Sequence, residues 1–435
     1  VEDVTKRVLM FSHGITAVTG FANQLWLQSR ALVEEGYEVY VLHRDYRGEP
    51  IVFPRGCDVA TMGGRALDGI TLLPVGREQW GQDVFPYYIS KFRPDYVHTL
   101  GDIWCHQQIP EIQSKTRGDF KWLAHYVFDT ENVVGFWHNS IRNTDIAIVP
   151  SKNSYDMLKH SKHDNVKYIP HGINVNVFKP AIYEEKMEIR KQLKIPEKVF
   201  VILMVAHNQY RKMVNRLVDA FEIFHKNNRD SLMVLHCLPK DVTGWDLPQI
   251  ISDKGLGGSI IFTDKAGKGI GDIHVKEEVM RKLYCMADVH ALSTGGEGFG
   301  IPLVEAMACG IPNVTTHYTT GEEFLAEKKE DGQIVNDRGM LIPYVDLEEH
   351  HTGGFWAKID RAKMAEAFQY LKNNPDEAKQ MGMKARKFAV ENYDMNKVKE
   401  QWKRLYNNFD DIVEEFRDIV HRKVEEQDIK LIRVA

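Results

Sequence analysis

The sequence predicts an α/β protein of two units, each a parallel sheet flanked by helices. Three observations predict it. The chain opens strand–helix–strand, the order of a parallel βαβ unit. A second, wholly apolar strand begins at Val199, far along the chain. The length, 435 residues, exceeds what one hydrophobic core usually organises.

In the first half, Arg7–Ser12 reads as a strand and His13–Thr19 as a loop. Gly20–Glu35 reads as a helix stopped by Gly36, and Glu38–His43 as the second strand. Ligands on such sheets bind beyond the carboxyl ends of the strands, where His13, Gly14 and Gly20 lie. The stretch 44–65 holds Pro50, Pro54, Gly56, Gly63 and Gly64 and reads as loop with at most a short strand. Gly69–Val75 and Asp95–Leu100 are further strands, with a helix over Val84–Phe92. His98, Cys105 and His106 fit no standard zinc spacing.

Lys121–Val127 is a strand carrying His125 near its carboxyl end. That position suits a site residue, and equally a half-buried histidine bonded to a loop. Asp129 follows, placed to orient His125 or to meet a ligand, and Phe128, Phe136 and Trp137 read as packing. Asp145–Pro150 enters a helix capped by Ser151. Val166–Pro170 is the last strand of this half, and His171–Phe178 reads as a hinge.

The second half starts with a short helix, Glu184–Leu193, and the strand Val199–Ala206. Arg211 and Lys212 then stand where strand turns to helix. Cations at a helix start oppose the macrodipole, so the pair points to an anionic partner such as a diphosphate; a solvated pair is the plainer reading. Ser231–Leu238 and Gly258–Thr263 are strands, 264–272 a flexible run, and Lys276–Ala287 a helix.

The most informative stretch runs from Tyr284 to Thr316 as strand, glycine-rich loop, helix and strand. Asp288–Leu292 is the strand, and the loop Ser293–Gly300 holds Gly295, Gly296, Gly298 and Gly300 around Glu297. Pro302 suits a first helical turn and Gly310 a stop. N–H groups at such a helix start attract phosphate, and a carboxylate one turn in, Glu305, is placed to accept ribose hydroxyls. Thr320–Glu323 reads as another helix start, Gly339–Pro343 as a last short strand, and Glu348–Gly354 as a loop. From Met395, apolar residues recur at Val398, Trp402, Leu405, Phe409, Ile412, Phe416 and Ile419, one helical stripe.

The run EGFGIPLVEAMACGIPNV, with seven residues between Glu297 and Glu305, resembles the E-x7-E signature of glycosyltransferase family 4. The resemblance implies retaining nucleotide-sugar enzymes of GT-B fold: two Rossmann-like α/β/α domains facing across a cleft. It implies an acceptor-side domain over 1–178, a donor domain over 179–394, and a C-terminal helix, 395–435, crossing back to complete the first. It assigns donor diphosphate to Lys212 and Arg211, transferred sugar to Glu297, and ribose to Glu305. Gly298, Phe299, Gly300 and Ile301 would line the donor, with Gly20 in the phosphate-approaching loop and His125 at the sugar. The family's usual arginine stands where this chain has His207, with Arg211 as its substitute.

The implied reaction moves a hexose from a nucleoside diphosphate sugar to an acceptor hydroxyl, without metal or cofactor. No DxD pair of a metal-dependent transferase is present. A phosphorylase, an epimerase and a catalytically silent nucleotide-sugar binding module stay open as alternatives. So do the acceptor (glycan, lipid, protein or small molecule), a peripheral membrane contact and a homodimer.

Composition narrows the class. A formal net charge of −5 gives no bulk attraction for nucleic acid. Five scattered cysteines point to buried thiols in a reducing compartment. No apolar run approaches a membrane span, and the first residues hold too short an apolar run for a signal peptide, which predicts a cytoplasmic protein.

Overall fold

The computed structural model describes residues 5–17, 19–57, 61–62, 65–78, 80–116, 120–263, 275–350 and 353–419. The run 264–272, read above as flexible, falls outside them. The chain divides into two units. The first holds residues up to Phe128, Val133–Pro170, and the chain from Asn396 on; the second holds His171–Met395 and the short segment Asp129–Asn132.

In chain order the first unit is β1 (Arg7–Ser12), α1 (Gly20–Glu34), β2 (Glu38–His43), β3 (Ile51–Val52), β4 (Thr61–Met62), β5 (Arg65–Ala66) and β6 (Ile70–Pro74). There follow α2 (Phe85–Phe92), β7 (Tyr96–Gly101), α3 (Ile109–Thr116), β8 (Lys121–Tyr126), α4 (Trp137–Arg142), β9 (Ile146–Val149), α5 (Lys152–His160) and β10 (Val166–Tyr168). The main sheet runs β10-β9-β8-β7-β1-β2-β6-β3. Every pairing in it is parallel except β3 on β6. Helices cover a parallel sheet on both faces, which is why β7 is buried at every residue.

Local rules place the ends. The Thr19 hydroxyl accepts from Ala22 N–H and starts α1. Gly36, at φ +92°, lets the chain leave α1 while Tyr37 N–H bonds Leu32 C=O at 3.1 Å. Ser151 accepts from Ser154 N–H and starts α5.

The second unit holds α6 (Tyr183–Gln192), β11 (Phe200–Val205), α7 (Val214–His225), β12 (Ser231–His236), α8 (Leu247–Asp253), β13 (Ile260–Phe262), α9 (Glu277–Met286), β14 (Val289–Leu292), α10 (Ile301–Ala308) and β15 (Asn313–Thr316). It continues with α11 (Gly321–Leu325), β16 (Ala326–Lys328), β17 (Ile334–Asn336), β18 (Gly339–Ile342), β19 (Tyr344–Glu349), β20 (Phe355–Ile359), α12 (Arg361–Asn373) and α13 (Pro375–Tyr393). Its sheet, β13-β12-β11-β14-β15-β18, is parallel throughout. Arg190 ties α6 to this sheet. Its guanidinium is 3% exposed and reaches Met286 O, Glu197 O, Val199 O and the Asp288 carboxylate, the last at 2.7 Å.

Two expectations are corrected here. Gly339–Ile342 is followed by a hairpin, β19 with β20, so it is not the last strand; Glu348 and Glu349 lie in β19, not in a loop. β19 is exposed at all six residues, so it lacks the buried alternation that marks a strand in sequence.

The C-terminal stripe folds as α14 (Met395–Asn407), a turn at Asn408 and helix over 409–419. The turn shifts its phase: Tyr406 and Val413 are buried, whereas Ile412 and Ile419 are only half-buried. Within the first unit Trp402 is fully buried and stacks on His98, ring centroids 5.3 Å apart. Tyr406 hydroxyl bonds His98 Nδ1 at 2.7 Å, and Asp410 takes ion pairs from Lys6 and Lys121. Among the described residues, no helix is long and apolar enough to cross a membrane.

Candidate active site

The site grows from two loops at the carboxyl ends of β11 and β14. After β11 the chain passes His207, which is exposed, and Asn208, which is fully buried. The Asn208 carboxamide donates to Leu238 O and Trp245 O and accepts from Trp245 N–H, so the loop is pinned from three directions. A one-turn 3-10 helix, Tyr210–Lys212, follows, and Met213 enters α7 in the left-handed region at φ +45°. A non-glycine residue rarely holds that conformation unless its surroundings impose it. Here they do: Ser293 hydroxyl bonds the carbonyls of Lys212 and Met213, both at 2.9 Å, and Gly295 N–H bonds Arg211 O at 2.7 Å.

The second loop is the glycine run, buried at every residue from Ser293 to Gly300. Glu297 N–H donates to Thr319 hydroxyl at 2.9 Å, and Thr320 hydroxyl donates to Phe299 O at 3.0 Å. Gly300 sits at φ +94° as the N-cap of α10, a backbone that a side chain would strain. The Phe299 ring turns into the core between His171, Phe324 and Tyr393, so only its backbone can meet a ligand.

These loops bring Arg211, Lys212 and Glu297 together. Lys212 Nζ donates to Glu297 Oε1, while Arg211 Nη1 donates to Gly296 O and lies 3.5 Å from the same carboxylate oxygen. Arg211 Nε forms a second ion pair, 2.8 Å, with Asp129. Asp129, expected to orient His125 or to meet a ligand, has its carboxylate paired with Arg211. Burial and then the neighbouring Arg211 pull the Lys212 ammonium down to about 8, against the attraction of Glu297. Burial pushes the Glu297 carboxyl up, but Lys212 and Arg211 outweigh it and hold it below the ordinary range. The centre therefore carries two cations and two carboxylates close to balance.

Glu305, on α10, shares no hydrogen bond or ion pair with that cluster. Its carboxylate accepts from Tyr284 hydroxyl at 2.7 Å. Burial raises it to about 8 despite that bond, and Glu277 adds to the rise. Gly298, Gly300 and Ile301 lie at the α10 start.

Gly20 and His125 belong to the first unit. Gly20 is exposed at the first position of α1. His125 is fully buried, its Nδ1 3.0 Å from the Gln28 carboxamide and its ring 5.4 Å from Trp402. His13 packs edge-on against Phe21. His106 bonds Thr99 and Gly101. Among the described residues, no group of three or more His, Cys, Asp or Glu is placed to hold a metal ion.

Sequence reading missed Asn208, Ser293 and Thr319. Thr319 also sits at φ +51°, and its N–H donates to the Glu131 carboxylate at 3.0 Å. The Thr-Thr-Gly run Thr319–Gly321 after a strand was the one signal available.

Residues 199–350 match the family "Glycosyl transferases group 1". An alpha-monoglucosyldiacylglycerol synthase of Acholeplasma laidlawii is 29% identical over 47% of this chain and 49% of its own length. The chain thus spans about half the length of the curated relatives it matches. Among solved structures, a sucrose-phosphate synthase of Thermosynechococcus elongatus superposes with TM-score 0.70 at 18% identity, covering 93% of this chain and 99% of that one. HepE of Anabaena, solved with UDP and glucose, gives TM-score 0.64 at 14% identity over 93% and 100%. Parallel sheets in both units and near-full-length superposition on these solved structures show a GT-B fold, and residues 199–350, which include both site loops, resemble the family Glycosyl transferases group 1.

Proposed function

We propose that the chain is a retaining glycosyltransferase that moves a sugar from a nucleoside diphosphate sugar to an acceptor hydroxyl without a metal ion. The observation that carries this reading is the convergence of Arg211, Lys212 and Glu297 beside the amino end of α10. Departure of a nucleoside diphosphate leaves negative charge on its phosphate oxygens. Two preorganised cations and the positive end of a helix stabilise that charge, and each such donor contributes on the order of 3–4 kcal/mol in a site that excludes water.

In this reading Lys212 and Arg211 meet the diphosphate, with N–H groups of Gly298, Gly300 and Ile301. Glu297 contacts the transferred sugar, and Glu305, with Phe299 backbone beside it, holds the nucleoside. The HepE structure, with UDP and glucose bound, supports a nucleotide-sugar donor.

The test is a thermal-shift panel of UDP, GDP and ADP and their sugars, followed by proton NMR of the product made in excess EDTA. A binder raises the melting temperature by mass action. The reading expects one nucleotide class to bind, product in the donor's anomeric configuration, and turnover that survives EDTA. Absence of any nucleotide binding, inversion, or loss of turnover with EDTA contradicts it.

A further inference from the structure

Four residues, Asp129–Asn132, form a strap that belongs to the second unit although the chain on both sides of it belongs to the first. Every residue of the strap is tied down. Its end is held by the β19–β20 hairpin: Phe355 N–H donates to Thr130 hydroxyl at 3.0 Å, and Asn132 carboxamide donates to Gly353 O at 3.2 Å. Its middle is held by Thr319, whose N–H donates to Glu131 at 3.0 Å. Its start lies on the glycine loop, so close that a Cβ on Gly296 would collide with the Asp129 carbonyl oxygen. The hairpin is bound to that same loop, since Ala357 N–H donates to Gly295 O at 2.9 Å.

What the strap delivers is a carboxylate. Asp129 Oδ2 lies 2.8 Å from Arg211 Nε, and Glu297 faces the other side of the same guanidinium. An Arg guanidinium edge suits the oxygens of a carboxylate and of a phosphate alike. We infer that Asp129 occupies the Arg211 position that a donor phosphate takes, so the strap is a built-in anion that the donor displaces. This rests on the donor reading above and adds to it a residue that sets donor affinity. A diphosphate brings more negative charge to the two cations than one carboxylate does, and so it wins the exchange. The Asp129 side chain, about one-third exposed, is free to turn outward when displaced. Glu297 stays, because its partner Lys212 is buried with it.

Asp129 is on this account a positioning residue, with a signature that a purely structural contact would not show. Binding of UDP, or of whichever diphosphate the panel selects, is measured by calorimetry on the full chain. Asp129→Asn keeps the shape and removes the competing charge; it is expected to tighten the nucleotide about two- to fivefold, the size of a partly exposed ion pair. Asp129→Glu restores a carboxylate and is expected to return affinity to the wild-type value. Glu348→Gln removes an exposed charge from the same hairpin and is expected to leave affinity unchanged. In the wild type, nucleotide is expected to speed hydrogen exchange of the strap amides. Unchanged or weaker binding by Asp129→Asn overturns the inference, as does an equal gain from Glu348→Gln or slower strap exchange with nucleotide. Failure of the wild type to bind any diphosphate overturns the donor reading itself, a separate outcome.

Discussion

Lys212 and Glu297 form a buried ion pair, Nζ donating to Oε1, with 10% and 7% of their side chains exposed. The pair joins the two loops of the site across 85 positions of sequence. Removing one partner strands the other charge in the interior, which costs roughly 3–5 kcal/mol, whereas removing both is far milder. Lys212→Ala and Glu297→Ala should each lower the melting temperature more than the double variant does. Calorimetric melting of the three proteins checks this.

Turnover should depend on Lys212 by its charge. With its ammonium held down to about 8, the lysine loses its proton as pH rises through that value, and turnover should fall with it. Lys212→Arg keeps the charge and should show no alkaline fall near 8, at reduced turnover. A pH–rate profile of both proteins distinguishes this from general alkaline unfolding.

Stability should fall as pH rises because of Glu305. Its folded value, about 8, lies above the ordinary carboxylate value of 4.5. The folded state therefore holds the proton more tightly. The stabilisation is full below 4.5 and is lost as pH rises through 8. Its size is on the order of 1–3 kcal/mol, discounted for partial solvent access. Glu305→Gln should flatten the decline in chemical denaturation between pH 5 and 8, windows set by those two values.

Acid should loosen the first unit through His98. Burial, reinforced by His106, pulls its imidazole down to about 3, far below 6.5. The unfolded chain binds that proton first, so stability is lost as pH falls from 6.5 toward 3. His98 is bonded to Tyr406 and stacked on Trp402, so the C-terminal helix should release early. Trp402→Ala should cost about 3–5 kcal/mol and expose 396–419 to protease at neutral pH. Limited proteolysis across pH measures both.

Much of the fold was legible because parallel strands carry near-continuous apolar runs: Arg7–Ser12, Phe200–Val205 and Ser231–His236 needed no tertiary context. The glycine loop and the α10 start were legible for a different reason, since φ +94° at Gly300 leaves few other residues tolerable. The hairpin β19–β20 was not legible, because β19 buries neither face. Nor was the pairing of Asp129 with Arg211, which joins residues remote in sequence through one ion pair and no local pattern. Phe299 misled in a plainer way. Its place between site glycines drew attention to the residue, while its ring fills the core between Phe324 and Tyr393.

The central claim is that Lys212 and the start of α10 receive a diphosphate. The most direct measurement is a crystal structure of the full chain grown with UDP or GDP, whichever the thermal-shift panel selects. The account predicts phosphate oxygens within hydrogen-bond distance of Lys212 Nζ and of the N–H groups at Gly300 and Ile301. Nucleotide bound elsewhere, with that pocket empty, would contradict it.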